Sequence, residues 1–366
     1  MFLIVAWITY PPLHAQINVS NQLNTIPENF SQYADFYIKD VTSHQGFAYL
    51  NSFSTTGRVL GQWELDFSLK LGSGLSQELF APEFGENFQL TGGMPTLFGT
   101  EEPGKLYFQF LDEETGVPIV NPFSGEIIGF GLPLFPGLGT SLGFSPAVMP
   151  VLSLGIGYGT EISFGILPGA IKLVTNTIAS DFSINKDITT TFGIRHDVFY
   201  WLPALHDRKF NLSLGVQYNF LNLGASIGPD LIGNIDQPSS DKFEVAYNLT
   251  GLTYKSSSMG FEAILTKKFG FLDLSLFSSY NQIHYQVNSI GGVEVKVAKS
   301  FYSNIASGYD TYSFNELIKV DQKVNKFIFG LAMQFNLGRF NIDLKAAPFS
   351  GHYYALGLGF QMLKEK

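Results

Sequence analysis

Residues 149–169, MPVLSLGIGYGTEISFGILPG, decide the fold of this chain. From position 152 to position 166 every even residue is apolar, tyrosine or threonine, whereas every odd residue is small or polar. Strict alternation with a period of two places one residue class on each face of a β-strand. A strand this long exceeds the five or six residues usual in soluble sheets, and it exceeds the roughly 9–11 tilted residues that cross a bilayer. The pattern predicts a long strand with one apolar face and one polar face.

The same alternation recurs along the chain, most clearly in 63–71, 187–195, 210–220 and 354–362. Charges on alternate positions of such apolar strands must face water, which in a barrel means the lumen. Further candidates are 45–56, 105–111, 170–175, 243–253, 261–266, 271–287, 293–298, 327–335 and 340–346. Residues 45–366 are therefore predicted to be all-β, forming a transmembrane antiparallel β-barrel of about 14 strands.

The composition fits a barrel better than a helical membrane protein. Only 14% of residues are charged, and there are 35 phenylalanines and 38 glycines. After the N-terminus no run reaches the roughly 18 apolar residues of a membrane helix. The net charge of −9 argues against a nucleic-acid partner. The absence of cysteine excludes thiolate sites, and the histidines lack metal-binding spacing, so no metal or other cofactor is predicted.

Residues 1–15 resemble a secretory signal peptide, because an apolar run is followed by Leu13-His14-Ala15 before Gln16. The alternative is a buried first strand, which would not easily explain Pro11 and Pro12. Residues 16–44 are then expected to be a periplasmic N-terminal segment or plug. The predicted location is the bacterial outer membrane. Its lipid, and the outer-membrane insertion machinery during biogenesis, are the predicted partners.

Connection lengths predict the orientation. Short turns at 167–169, 255–258, 289–292 and 336–339 are expected on the periplasmic side, and the long connections 112–148, 223–241 and 299–323 outside, as is usual for outer-membrane barrels. Residues 73–104 do not fit this scheme, because they would form a long periplasmic loop.

The polar face of the opening stretch supplies candidate ligand-binding residues. Gly155, Gly157 and Gly159 leave the lumen wall clear, and a glycine in a strand often marks the close approach of another backbone or of a ligand. Glu161 is the only charge on this face. Because a buried carboxylate needs a cation or hydrogen-bond donors, we expect a lumenal pair with Arg195, or with a lysine such as Lys70.

An irregular apolar segment, 112–148, precedes that stretch. Its glycines and prolines forbid a long regular element, and such a segment in a compact domain is usually functional or covered. Phe130, Leu132 and Phe135 are its candidate ligand contacts. Ser141 lies in a Gly-Thr-Ser-Leu-Gly sequence that matches a nucleophile elbow, but the strand and helix which that motif requires are not indicated. No enzymatic activity is predicted.

Four short motifs carry a resemblance: Ala48-Tyr-Leu-Asn-Ser52, Gly159-Thr160-Glu161, Leu167-Pro168, and the IRHD and WLP sequences within 194–203. On these the chain resembles an uncharacterised family of exported outer-membrane β-barrels. It is more distantly similar to the FadL-type transporters of hydrophobic compounds, although it lacks their Asn-Pro-Ala start. The FadL resemblance and the apolar segment favour passive binding or uptake of a hydrophobic small molecule. The alternative is a structural or surface-interaction barrel with a plugged lumen and no transport.

Overall fold

The computed structural model describes residues 18–40, 50, 54–75, 82–94, 104–121, 124–134, 144–168, 182–202, 209–227, 242–301, 307–348 and 353–363. This part of the chain contains helices α1 (Val19–Leu23) and α2 (Ile26–Asp40). Neither is long and apolar enough to cross a membrane. The strands are β1 (Leu65–Leu75), β2 (Phe88–Thr91), β3 (Lys105–Gln109), β4 (Gly129–Pro133), β5 (Phe144–Gly157), β6 (Thr160–Pro168), β7 (Phe182–Asp197), β8 (Phe210–Ile227), β9 (Phe243–Tyr247), β10 (Gly251–Phe269), β11 (Leu272–Ile290), β12 (Val293–Ala298), β13 (Tyr309–Phe314), β14 (Lys319–Leu337), β15 (Phe340–Ala347) and β16 (Tyr353–Leu363).

Ten of these strands close into an antiparallel barrel in the order β1-β16-β15-β14-β11-β10-β8-β7-β6-β5, and β5 pairs back onto β1. The count of about 14 is not confirmed in the described residues. Strands β3, β9 and β12, which alternation assigned to the barrel, belong to two three-stranded sheets, β2-β3-β4 and β9-β12-β13. Alternation reports one buried face, and a sheet packed on another layer has that face as well. The candidate 170–175 lies outside the described residues.

The barrel has two different ends. Two-residue turns at 158–159, 270–271 and 338–339 join neighbouring strands at the short-turn end. Both three-stranded sheets lie in the connections at the opposite, long-connection end. Of the predicted short turns, only 336–339 is at the short-turn end; 167–169 and 289–292 adjoin strand ends at the other. The turn predicted at 255–258 is wrong, because these polar residues continue β10.

The opening stretch is a hairpin, so the prediction of one continuous strand is wrong. Strand β5 ends at Gly157, the chain turns through Tyr158 and Gly159, and β6 begins at Thr160. Gly157, Tyr158 and Gly159 all have positive φ, between 52° and 96°. The register shifts between Gly155 and Gly157, which marks a β-bulge.

The outer surface of the barrel carries an apolar band that starts at the short-turn end. It covers 259–269 of β10, 272–280 of β11 and 327–337 of β14, and Phe327 and Leu331 are 60% and 56% exposed. Beyond the band the polarity of the wall reverses. On β11 the outward residues become polar at Gln282, His284 and Gln286, and the buried ones become apolar at Ile283, Tyr285 and Val287.

The apolar interior at the long-connection end holds the described part of the predicted N-terminal segment 16–44. Helix α2 packs against β14 and buries Phe30 and Tyr33. The hydroxyl of Tyr285 on β11 donates to Asp35 Oδ1 at 2.5 Å. Helix α1 is tied to the connection between β3 and β4 by Gln22, whose side chain exchanges two hydrogen bonds with the backbone of Leu111. The helices, the two three-stranded sheets (hereafter the outer sheets) and the barrel wall at the long-connection end therefore share one hydrophobic core.

Candidate functional site: the lumen and its plug segment

Residues 54–64, hereafter the plug segment, run through the short-turn half of the barrel from the buried Ser54 to an exposed rim at 61–63. Ser54, Thr55 and Thr56 are 5–7% exposed and form no strand, so the strand predicted over 45–56 is not found in its described part. The segment ends against β5, where the N–H of Trp63 donates to the carbonyl of Gly155 at 2.7 Å. The N–H of Gly155 donates in turn to the carbonyl of Glu64 at 3.0 Å. The plug segment thus leads directly into β1.

The three candidate glycines have local structural reasons. A Cβ at Gly155 would lie 1.9 Å from the carbonyl oxygen of Gly61, so this glycine lets the plug segment approach the wall. Gly157 and Gly159 have φ values of 96° and 68°, which L side chains rarely adopt. A Cβ at Gly159 would also lie 2.7 Å from Cβ of Tyr200. The backbone that approaches the glycine face is therefore the protein's own.

Glu161 and Arg195 meet in the lumen. Arg195 Nη2 lies 2.9 Å from Glu161 Oε2 and 3.0 Å from Oε1, across neighbouring strands β6 and β7. Arg195 also donates to the carbonyls of Thr56 and Arg58, and Glu161 accepts the N–H of Leu60 at 3.0 Å. Both members of the pair therefore bind backbone groups of the plug segment. This arrangement pairs two buried charges and ties the segment to the barrel wall.

Two further ion pairs complete a polar ring, and only one of their members, Lys70, was noted from the sequence. Lys70 pairs with Asp343 rather than with Glu161. Lys345, fully buried, pairs with Glu262 and donates to the carbonyl of Ser54 at 2.9 Å. In the sequence, single charged residues at inward positions of apolar strands indicate which residues can belong to such pairs. Which of them meet depends on strand neighbours that periodicity does not reveal.

The ring contains three ion pairs and one further carboxylate. Its cations are Lys70, Arg195 and Lys345, and each is matched by one carboxylate. Asp66 adds a further carboxylate, which accepts a hydrogen bond from Asn341 Nδ2 at 3.3 Å.

The other candidate ligand contacts lie at the opposite end of the barrel. Phe130 and Leu132 on β4 are 1% and 0% exposed, and the Phe130 ring centroid is 5.1 Å from that of Phe108. They belong to a packed core, and the structure does not bring them together with Glu161. Phe135 and Ser141 lie outside the described residues.

Tyr247 links the two outer sheets. Its hydroxyl donates to the carbonyl of Gly131 on β4 at 3.0 Å. Burial raises the pKa of Tyr247 above its usual range, which keeps the hydroxyl protonated as a donor. In the described part of the chain no group of His, Cys, Asp and Glu side chains is arranged to hold a metal ion.

His196 contributes to the rim of the short-turn end. Trp201 Nε1 donates to His196 Nε2 at 2.9 Å, so Nε2 must be unprotonated and Nδ1 carries the proton that faces Thr160 Oγ1 at 3.0 Å. With both ring nitrogens engaged, this histidine holds the aromatic cluster 198–201 against the end of β7.

The chain matches solved structures at low identity and low structural overlap. The translocator domain of the autotransporter NalP from Neisseria meningitidis is 9% identical over 82% of this chain and 88% of its own, with a TM-score of 0.26. The transport unit of the autotransporter AIDA-I from Escherichia coli is 9% identical over 92% and 99%, with a TM-score of 0.25. A Pseudomonas aeruginosa FadL homologue is 12% identical over 83% and 79%, with a TM-score of 0.24. Overlaps this low do not establish a shared fold or function.

Sequence comparison is more decisive. No curated protein matches the chain. Residues 1–362 match a family of unknown function, DUF6588, which leaves only the last few residues uncovered. The chain belongs to the DUF6588 family.

Proposed function

We propose that the chain is an outer-membrane β-barrel that binds hydrophobic small molecules at its outer end and mediates their passive uptake. The observation that carries the membrane location is the apolar band. It spans nine to eleven residues on β10, β11 and β14, with large side chains about half exposed. A bilayer-crossing strand needs about 9–11 residues, and a soluble protein rarely exposes so large an apolar surface.

The ends of the barrel support one orientation. Its first strand begins and its last strand finishes at the short-turn end, beside the three two-residue turns. Short turns face the periplasm in outer-membrane barrels and longer connections face outward. The two outer sheets and α2 would then lie on the external side. Membrane lipid and, during biogenesis, the insertion machinery are the partners that this location requires.

The interior of the outer half supports hydrophobic binding. Leu252, Tyr254, Ile283, Tyr285 and Val287 are buried on the inner side of β10 and β11, above the polar ring. An apolar compound that displaces part of this packing would exchange one apolar contact for another, at little cost in desolvation. We assign no catalytic activity to the chain.

The plug segment favours a second candidate, a structural barrel that transports nothing. Arg195, Glu161 and Lys345 each bind a backbone group of the segment from the barrel wall. A lumen closed in this way needs a rearrangement before any solute can pass. The two candidates differ in whether that rearrangement occurs in the membrane.

The test uses cells with an intact outer membrane that express the full chain. The hydrophobic dye N-phenyl-1-naphthylamine fluoresces once it passes that membrane. We expect faster dye uptake than in cells without the protein, and faster uptake still with Arg195→Gln, which weakens the hold on the plug segment. Lys296→Gln is the matched control, because Lys296 forms an exposed ion pair with Glu244 in an outer sheet.

Dye uptake equal to that of cells without the protein, for both wild type and Arg195→Gln, would exclude the transport proposal and leave the closed barrel. Folding into the membrane is checked separately. A membrane barrel in detergent migrates differently on a gel before and after boiling, and a water-soluble protein with no such shift would refute the membrane location.

A further inference from the structure

A groove crosses the outer surface of the barrel within the apolar band. It encloses about 500 Å³ and lies over β7, β8, β10 and β11, with one edge at β14. Its lining includes the smaller side chains Val216, Ala263 and Ser278 beside large ones such as Phe261 and Phe327. This volume lies within the roughly 300–1,000 Å³ of small-ligand pockets.

Strand register explains why the groove exists. Ala263 is paired with Ser278 on one side and with Leu214 on the other, so two small residues are adjacent on the outer surface. The next row outward contains Tyr280 and Phe261, both nearly half exposed. Small residues beside large ones therefore leave a depression in a surface that is otherwise covered by Phe, Leu and Tyr.

Lysines lie at the short-turn edge of the band, and Lys267 is on the same outward face of β10 as Ala263. Its Nζ is 4.7 Å from the ring centroid of Phe210 and 5.5 Å from that of Phe269. Lys268 follows it at an inward position, and its N–H donates to the carbonyl of Lys209, an exposed turn residue before β8, at 3.0 Å. In the described part of the chain, none of these three lysines forms an ion pair. The edge is therefore positively charged beside an apolar surface.

The spacing of lysines and groove matches one lipid chain. Ala263 and Lys267 are on the same outward face of β10, four residues apart, which corresponds to about 13 Å along a strand. One leaflet contributes about half of a roughly 30 Å hydrocarbon core. An acyl chain whose phosphate lies at Lys267 would therefore end in the depression at Ala263 and Ser278.

We propose that this face binds one anionic phospholipid of the surrounding membrane, with its phosphate at Lys209 and Lys267 and an acyl chain in the groove. The inference rests on the proposed membrane location. Lipid is the occupant because the groove lies within the apolar band, where chains of the bilayer are the surrounding medium. The lysines select the anionic head group, since basic residues at a membrane surface attract anionic lipids.

The test measures lipid binding to the full chain purified in detergent, by native mass spectrometry during titration with phosphatidylglycerol or phosphatidylcholine. Wild type should bind one phosphatidylglycerol in preference to phosphatidylcholine. Ala263→Phe, which fills the depression, should weaken phosphatidylglycerol binding about tenfold or more. Leu356→Phe, at an outward position of β16 on another part of the barrel, is the matched control and should bind as wild type does.

A double variant, Lys209→Gln with Lys267→Gln, separates the head group from the chain. It should lose the preference for phosphatidylglycerol while the boiling-dependent gel shift remains. Equal phosphatidylglycerol binding by wild type and Ala263→Phe, or an unchanged preference in the double variant, would overturn the lipid site alone. Loss of the gel shift in the wild type would instead refute the membrane location.

Discussion

Replacing Lys345 by methionine should strongly destabilise the barrel. The Lys345 side chain is fully buried and pairs with Glu262, which is 4% exposed. Without the lysine, Glu262 keeps one described donor, Gln217 Nε2 at 3.2 Å, and its charge is no longer compensated. Removing one partner of a buried pair costs about 3–5 kcal/mol. The unfolding equilibrium constant should therefore rise by about two to four powers of ten.

A second variant separates the lost charge partner from lost packing. In Lys345→Met combined with Glu262→Gln no uncompensated charge remains, so most of the lost stability should return. Lys296→Met is the matched control: Lys296 and its partner Glu244 are 42% and 60% exposed, and exposed pairs contribute at most about 1 kcal/mol.

The free energies of unfolding can be measured by guanidinium titration of the refolded barrel in detergent, followed by tryptophan fluorescence and by the boiling-dependent gel shift. A loss below about 1 kcal/mol for Lys345→Met would refute the reasoning. So would a double variant as unstable as the single one, because packing rather than charge would then dominate.

Three further predictions concern the plug, the band and the outer sheets. Gly155→Ala should displace the plug segment and lower the free energy of unfolding by about 1–3 kcal/mol. Gly215→Ala should be tolerated, because a Cβ there would lie 3.3 Å from its nearest neighbour, the carbonyl oxygen of Ile194. Guanidinium titration compares the two variants. Trp63 and Trp201, 64% and 62% exposed at the short-turn end, should be quenched more by lipids brominated near the head group than by lipids brominated near the chain ends. Tyr247→Phe should cost about 1 kcal/mol, measured by chemical unfolding. Because burial raises the pKa of Tyr247, its contribution should be complete below the unfolded value of about 10 and be lost as pH rises above it.

Each of these has a contradicting result. Equal stability of the two alanine variants would mean that the plug segment does not press on the wall. Stronger quenching by lipids brominated near the chain ends would show that the apolar band is placed wrongly relative to the bilayer. The measurement uses a chain without residues 1–15, so that Trp63 and Trp201 are its only tryptophans. A Tyr247→Phe effect that persists unchanged at strongly alkaline pH would show that the hydroxyl is not the group responsible.

The sequence predicted the two faces of the opening stretch but not its turn. Leu154 pairs with Ile162 and Gly155 with Glu161, so partners have the same parity and the alternation continues through the hairpin. The bulge before Gly157 causes this, because without it the two-residue turn would join residues of opposite parity. A period-two pattern could therefore not reveal where β5 ended.

The rest of the interior was less predictable. Glu161 and Arg195 could be paired from sequence because each is an isolated charge on an inward face. The plug segment has no periodicity that distinguishes it from a loop, and its hydrogen bonds depend on wall residues far away in sequence, such as Lys345. The outer sheets alternate like barrel strands, so their separation from the wall required the strand pairing itself.

The reversal of polarity along β11 means that the outer face of one strand lies partly in hydrocarbon and partly in water. From Leu274 to Tyr280 an outward serine or lysine would face hydrocarbon, whereas beyond Gln282 the same change would face water. On the inner side the tolerance is opposite, because Ser275 and Asn281 occupy a polar interior and Val287 an apolar one. In a scan of polar substitutions along this strand, the effect on stability should therefore change near Gln282. Outward positions should become more tolerant beyond that residue, and inward positions less tolerant. The position of that change would locate the outer boundary of the bilayer on the protein to within about one residue pair, roughly 7 Å.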